Sequence, residues 1–214
     1  MKKGEGGQWV EVRRDGVDRR ISVSKSGIEI RREGKPVKAM VGESGTVYLA
    51  VDCSGSMEGD KLAQAKRGAV EFAKEAQKKG YWTGLITFDT SATHLCSPQR
   101  DIAVLQKTIE SVVASGTTNM THVIELAVEE LHSKKGKRVL VIVTDGAPDS
   151  ARTALKAAQQ AKKEGIDIIT VGTEDADYAF LKRLASRNEL ATVVASKQLK
   201  EGIVATAKML PRGK

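Results

Sequence analysis

Two kinds of hydrophobic pattern share this chain. Between positions 9 and 40 apolar and polar residues alternate in short runs: Val10-Glu11-Val12-Arg13, Arg20-Ile21-Ser22-Val23 and Ile28-Glu29-Ile30-Arg31. Asp15-Gly16, Ser26-Gly27 and Glu33-Gly34 break them. A period of two with turn-forming pairs between the runs predicts an antiparallel hairpin or meander. Its single apolar face (Val10, Val12, Ile21, Val23, Ile28, Ile30) is too small to fold alone, so it is expected to pack on the main domain or on another chain. Residues 1–7, Gly-rich and charged, are expected to fray, and 41–45 to act as a linker.

Past position 45 the pattern changes to continuous apolar runs separated by helical stripes. Tyr48 to Val51 has no polar alternation, as expected of a central strand covered on both faces. A helix follows over 60–79, capped by Asp60, with Leu62, Ala65, Ala69, Phe72, Ala73 and Ala76 on one face and Gly80 as its stop. Further strands are predicted at 81–88, 138–144, 166–171 and 191–195. Helices are predicted from the cap at Asp101, over 120–132, 151–164, 177–186 and 197–210. Strands alternating with amphipathic helices make a parallel sheet with helices on both faces, and such sheets bind ligands beyond the carboxyl ends of their strands.

Those strand ends carry the chemistry. The run from Val47 stops at Asp52-Cys53-Ser54-Gly55-Ser56. In extended backbone residues i, i+2 and i+4 point the same way, so Asp52, Ser54 and Ser56 can aim three oxygens at one point, and Gly55 permits the sharp bend. Val141-Ile142-Val143-Thr144 ends likewise at Asp145-Gly146, and the loop Ser115-Gly116-Thr117-Thr118-Asn119 enters a helix. Hydroxyls and carboxylates are hard ligands, suited to Mg²⁺, Mn²⁺ or Ca²⁺ rather than to zinc, which prefers Cys and His.

These stretches resemble the von Willebrand factor type A domain. Asp-x-Ser-x-Ser, Gly-x-Thr and an apolar strand ending in Thr-Asp-Gly are the marks of its metal-ion-dependent adhesion site. The resemblance covers roughly 46–210, dividing the chain into an N-terminal basic β arm with linker (1–45) and the domain (46–214). It implies a three-layer Rossmann-like α/β fold, mostly parallel, with one short antiparallel edge strand at 92–97. It also implies a metal site in which Ser54, Ser56 and Thr118 ligate directly while Asp52 and Asp145 act largely through water. Few anionic oxygens in direct contact would leave a bound cation electrophilic. The implied function is docking of a partner's Asp or Glu through Mg²⁺ (or Mn²⁺ or Ca²⁺), with no bond broken and no enzymatic activity. Prokaryotic members of the family often work beside AAA+ ATPases in assembling other complexes.

Composition narrows the setting. The formal net charge is +8, but residues 1–42 hold 11 Lys/Arg against 6 Asp/Glu and the rest hold 24 against 21. The basic character therefore belongs mainly to the arm. Two cysteines, Cys53 and Cys96, make no disulfide framework. Neither an export signal nor 18 consecutive apolar residues occurs, so the expected location is cytoplasmic, away from the membrane.

Two other functions compete with this one. A Mg²⁺-dependent phosphatase of the haloacid dehalogenase type also places an Asp at a strand end, but it needs a second acid two positions on, where this chain has Ser54. The stretch Gly42-Glu43-Ser44-Gly45-Thr46 lacks the lysine and spacing of a P-loop. Paired arginines of the arm (Arg13, Arg14, Arg19, Arg20, Arg31, Arg32) suggest nucleic-acid binding, against which stands the near absence of stacking aromatics beyond Trp9. Asp149 and Ser150 read as a helix cap, Asp89 as a neighbour of the same rim, and Cys53 as a packed thiol. His94, His122 and His132 read as structural, Met57 and Trp82 as packing residues, and Lys134-Lys135 and Lys137-Arg138 as solvating a helix end.

Overall fold

A computed structural model of the protein describes residues 9–14, 17–24, 27–32, 35–39 and 45–211. The expected frayed start at 1–7, the turn residues 15–16, 26 and 33–34 and the linker at 41–44 lie outside the described residues. The chain divides into two compact units, Met1–Gly42 and Glu43–Lys214.

The first unit is a four-stranded antiparallel meander of β1 (Trp9–Arg14), β2 (Val17–Ser24), β3 (Gly27–Arg32) and β4 (Lys35–Ala39), in that order. Val10, Ile21, Ile30 and Val37 stand at one register position across it. The fourth strand was not expected, because Pro36 interrupts its pattern. Proline lacks the N–H that a central strand must donate and is tolerated at a sheet edge, which is where β4 lies.

In the second unit β5 (Thr46–Asp52) is buried along its whole length. Successive side chains of a strand point to opposite faces, and here each face has its own core. Val47, Leu49 and Val51 meet α1 (Asp60–Lys78), α2 (Ile102–Glu110) and α6 (Leu199–Met209). Tyr48 and Ala50 meet α3 (Met120–His132), α4 (Ala151–Lys163) and α5 (Tyr178–Leu184). The result is the expected three-layer α/β sandwich.

The six-stranded sheet has the order β10 (Ala191–Val194), β9 (Ile166–Thr173), β8 (Arg138–Thr144), β5, β6 (Trp82–Phe88), β7 (Ala92–Gln99). All pairs are parallel except β6 with β7, the expected antiparallel edge. The chain moves outward from β5 to β7, then returns to β8 on the other side of β5 and runs outward again. The order therefore reverses between β5 and β8, the place where open α/β sheets leave a crevice at the strands' carboxyl ends.

Several local expectations change. Asp60 is the first residue of α1, not its cap: Gly59 takes the cap position at φ 80 and no side chain bonds the free N–H groups. Met57 is fully buried in the core, as expected of a packing residue. Trp82 is 42% exposed, lying against the Arg100 guanidinium, 4.8 Å from its ring centroid. Asp101 caps α2 as expected, and Asn119 caps α3, a role its place in the loop does not announce.

Candidate metal centre

The five expected residues converge on that crevice. Asp52 is the last residue of β5, Asp145 directly follows β8, and the turn after β5 carries Ser54 and Ser56. Ser54 Oγ lies 3.1 Å from Ser56 Oγ, and Ser56 Oγ donates to Asp145 Oδ1 at 2.8 Å. A Cβ placed on Gly146 would stand 3.7 Å from Thr118 Oγ1 and 4.0 Å from Ser56 Oγ, so Thr118 faces the same small space. Ser56 is exposed, whereas Asp52, Ser54, Thr118 and Asp145 are all under 10% accessible. The set therefore opens outward at Ser56 and is closed behind.

The loops are stitched to each other through their backbones. Ser115 N donates to Cys53 O at 2.7 Å and Gly55 N to Gly116 O at 3.1 Å, which ties the Ser54–Ser56 turn to the Gly-x-Thr loop. Asn119 N bonds Asp89 O at 2.7 Å, and Asp149 N bonds Thr118 O at 3.1 Å. Side chains complete the frame. Asp89 accepts from Ser115 Oγ at 3.1 Å and from Ser91 N at 2.9 Å. Asp149 accepts from Thr117 Oγ1 at 3.1 Å and Thr118 N at 3.4 Å. Ser150 alone caps α4, accepting from Thr153 N, so Asp149 belongs to the threonine loop and not to the cap.

Asp52 is held most tightly. Its Oδ1 accepts from Ser54 N at 2.8 Å and its Oδ2 from Thr144 Oγ1 at 2.6 Å. Burial pushes its carboxyl up to about 6, more than these donors pull it down, and the Asp145 charge adds to the rise. With both oxygens engaged by protein donors, Asp52 can contribute charge from behind or through water more readily than as a direct ligand. Asp145 is shared: Ser56 holds Oδ1, and the Lys61 ammonium lies 2.6 Å from Oδ2 and 2.8 Å from Asp175 Oδ2. Desolvation presses the Lys61 pKa down, but the hydrogen bonds and charges of Asp145 and Asp175 outweigh it and hold the group above its ordinary value.

The donor set fits a hard divalent cation. Neighbouring oxygens of an octahedral Mg²⁺ shell stand about 3 Å apart for metal–oxygen distances of roughly 2.1 Å, and the Ser54–Ser56 and Ser56–Asp145 oxygen pairs are at 3.1 and 2.8 Å. Among the described residues no group of three or more His, Cys, Asp or Glu gathers for a metal, so a cation here would depend on the three hydroxyls.

Lys61, Thr144 and Asp175 were not foreseen. Thr144 precedes the Asp145-Gly146 pair, and its hydroxyl is marked only by being polar at the end of an apolar strand. Lys61 and Asp175 lie 114 positions apart and meet only in the fold. The other polar residues behave structurally. His94 Nε2 lies 3.0 Å from the Tyr48 hydroxyl, His132 faces Glu164, and His122 is exposed. The Cys53 thiol, pushed up to about 11 by burial, donates to Phe88 O.

Residues 46–205 match the model of the von Willebrand factor type A domain. The chain belongs to this family. Domains of the family are commonly metal-dependent protein-interaction modules. Among curated relatives the inter-alpha-trypsin inhibitor heavy chain H4 of Sus scrofa is 25% identical over 162 residues, 66% of this chain and 17% of that protein. The corresponding chain of Mus musculus is 27% identical over 165 residues, also 17% of its length. The present chain thus spans about a sixth of these relatives.

Among solved structures, the vWF domain of the type V pili tip protein Mfa5 from Porphyromonas gingivalis superposes with a TM-score of 0.71 at 14% identity, covering 81% of this chain and 98% of that one. Proximal thread matrix protein 1 of the mussel byssus, solved with a zinc-occupied MIDAS motif, gives 0.63 at 17% identity, covering 78% and 46%. That protein's zinc shows that a MIDAS motif need not reject zinc, contrary to the argument from donor hardness. The cytoplasmic location expected above is not supported, since the structural neighbours include pili and byssus proteins. No helix among the described residues is long and apolar enough to cross a membrane.

Proposed function

We propose that the domain is a metal-dependent protein-binding module that takes up a carboxylate, from an Asp or Glu of a protein partner, at the Asp52–Ser54–Ser56–Thr118–Asp145 centre. The observation that carries this reading is the oxygen chain Ser54–Ser56–Asp145, spaced at 3.1 and 2.8 Å and open to solvent at Ser56. Ser54, Ser56 and Thr118 would hold the cation, with Asp145 and the fully engaged Asp52 balancing its charge. The bound ion, a divalent cation for which the oxygen donors favour Mg²⁺, Mn²⁺ or Ca²⁺ without barring zinc, would supply an electrophilic position for the incoming carboxylate. The protein's part is to fix the hydroxyls, keep Asp52 from direct ligation by engaging both its oxygens, and leave one face uncovered.

The burial of Asp52 and the engagement of both its oxygens also favour binding over phosphoryl transfer. A nucleophilic carboxylate needs a free oxygen facing its substrate.

The test is a Mn²⁺ titration of the protein, counting free ion by electron paramagnetic resonance, with and without acetate. One saturable site, tightened by acetate and lost in Asp52→Ala and Thr118→Ala, supports the reading. Absence of binding with acetate present, or turnover of a phosphate ester abolished by Asp52→Asn, would overturn it.

A further inference from the structure

The reading above leaves Lys61 without a role. Its ammonium touches Asp145, one of the two carboxylates of the centre, at 2.6 Å. It is not a wandering surface chain, because Asp175 grips it from the other side at 2.8 Å and its side chain is only 22% exposed. The two oxygens of Asp145 are divided: Oδ1 faces the Ser56 hydroxyl and Oδ2 faces Lys61. Lys61 therefore fixes the orientation of Asp145 while cancelling part of its charge.

We propose that Lys61 is a built-in counter-charge of the metal centre, which weakens the hold on the cation and strengthens the pull on the carboxylate ligand. The inference rests on the metal-centre reading and extends it. Asp52 and Asp145 together balance a divalent ion's two charges. With Lys61 fixed beside Asp145 the loaded centre is one unit more positive than those two carboxylates alone would leave it. The same positive charge repels the cation and attracts the anion, so its removal moves the two affinities in opposite directions. A side chain that only packed or only oriented Asp145 would move them together. Asp175 keeps the ammonium in place, and its own charge is weakened by exposure, its side chain being 59% accessible.

Coulomb's law between a unit and a double charge roughly 5 Å apart in a water-like dielectric gives an effect of about tenfold. The experiment measures two constants on the purified protein: Mn²⁺ binding, and acetate binding to the Mn²⁺-loaded form. Wild type is compared with Lys61→Met, Lys61→Gln and Lys61→Arg, each checked by thermal melting. Met and Gln are expected to bind Mn²⁺ about tenfold more tightly and acetate several-fold more weakly, both shifts shrinking as salt screens them. Arg, which keeps the charge, is expected to stay near wild type. Equal Mn²⁺ affinities in wild type, Met and Gln, or both constants falling together, would overturn the role of Lys61 and leave the metal centre standing. No Mn²⁺ binding by any of the four proteins, with acetate present, would overturn both.

Discussion

Thr144 Oγ1 donates a 2.6 Å hydrogen bond to Asp52 Oδ2, joining the carboxyl ends of β8 and β5 where both residues are fully buried. The same hydroxyl accepts from Gly146 N at 3.2 Å, so one oxygen orients the carboxylate and also the turn that carries Asp145. A Thr144→Val substitution keeps the branched shape and removes both bonds. Leaving buried polar groups without partners costs about 1–3 kcal/mol. The expected result is that loss in urea unfolding together with weaker Mn²⁺ binding, while Thr144→Ser keeps both properties closer to wild type. A Val variant that binds and unfolds like wild type would show that Thr144 positions nothing.

Asp52 sets a pH dependence whose sign follows from its raised pKa. An unfolded Asp titrates near 3.9, and burial pushes this one to about 6. Folding therefore takes up a proton between those values, and stability falls as pH rises through that window. In EDTA, Asp52→Asn is expected to lose this part of the slope and to be the more stable protein at pH 7. A displacement of about two pKa units limits the gain to roughly 3 kcal/mol, and the amide's poorer match to the Thr144 hydroxyl reduces it. Cation binding runs the other way. It needs the ionised carboxylate, so Mn²⁺ affinity is expected to climb as pH rises through about 6. Parallel unfolding curves of wild type and variant at pH 5 and 7 would refute the assignment.

Asp149 and Ser150 are neighbours with separable duties. Asp149 holds Thr117 and the backbone of Thr118, whereas Ser150 caps α4. Asp149→Ala is expected to lower Mn²⁺ affinity through the loosened threonine loop while shifting thermal stability little, the residue being exposed. Ser150→Ala is expected to cost about 1 kcal/mol of stability and leave Mn²⁺ affinity unchanged. Titration and melting of both variants check the pair, and equal effects on both readouts would erase the distinction.

These contrasts bear on how legible the molecule is in its sequence. The strand ends at Asp52 and Asp145 follow from unbroken apolar runs, since only a central strand buries both faces. Helix stripes such as that from Leu62 to Ala76 are equally plain, because burial repeats every three to four residues. The period-two argument for Ser56 fails: β5 ends at Asp52, and the 3-10 turn Gly55–Met57, not an extended pleat, carries the Ser56 hydroxyl beside Ser54. What is missed depends on other physics. β4 was hidden by Pro36, whose tolerance depends on edge position, a property of the whole sheet. Asp60 lost its capping role to Gly59, whose positive φ is a backbone feature no pattern announces. The Lys61–Asp175 bridge spans 114 positions and joins residues that each look like ordinary surface charges. Local rules see a strand and its end, but not that the loop after β9 brings Asp175 beside Lys61 of α1.

Gly84 is the seat of Tyr48. The two face each other across β5 and β6, and a Cβ at Gly84 would stand 2.4 Å from the Tyr48 ring. The ring cannot easily give way. It is fully buried, and its hydroxyl donates to Glu130 Oε2 at 2.9 Å and lies 3.0 Å from His94 Nε2. Overpacking a site of this kind costs about 1–3 kcal/mol and occasionally more. Gly84→Ala is therefore expected to destabilise by at least the upper part of that range, and to weaken Mn²⁺ binding, because Tyr48 lies on the strand that ends at Asp52. Tyr48→Leu alone loses the ring's packing and its two polar contacts. In the double variant the smaller side chain makes room for the new methyl, so the two losses are expected to sum to less than their separate values. A double-mutant cycle in urea measures this coupling, and strict additivity would mean that the Tyr48 ring and the Gly84 position do not compete for the same space.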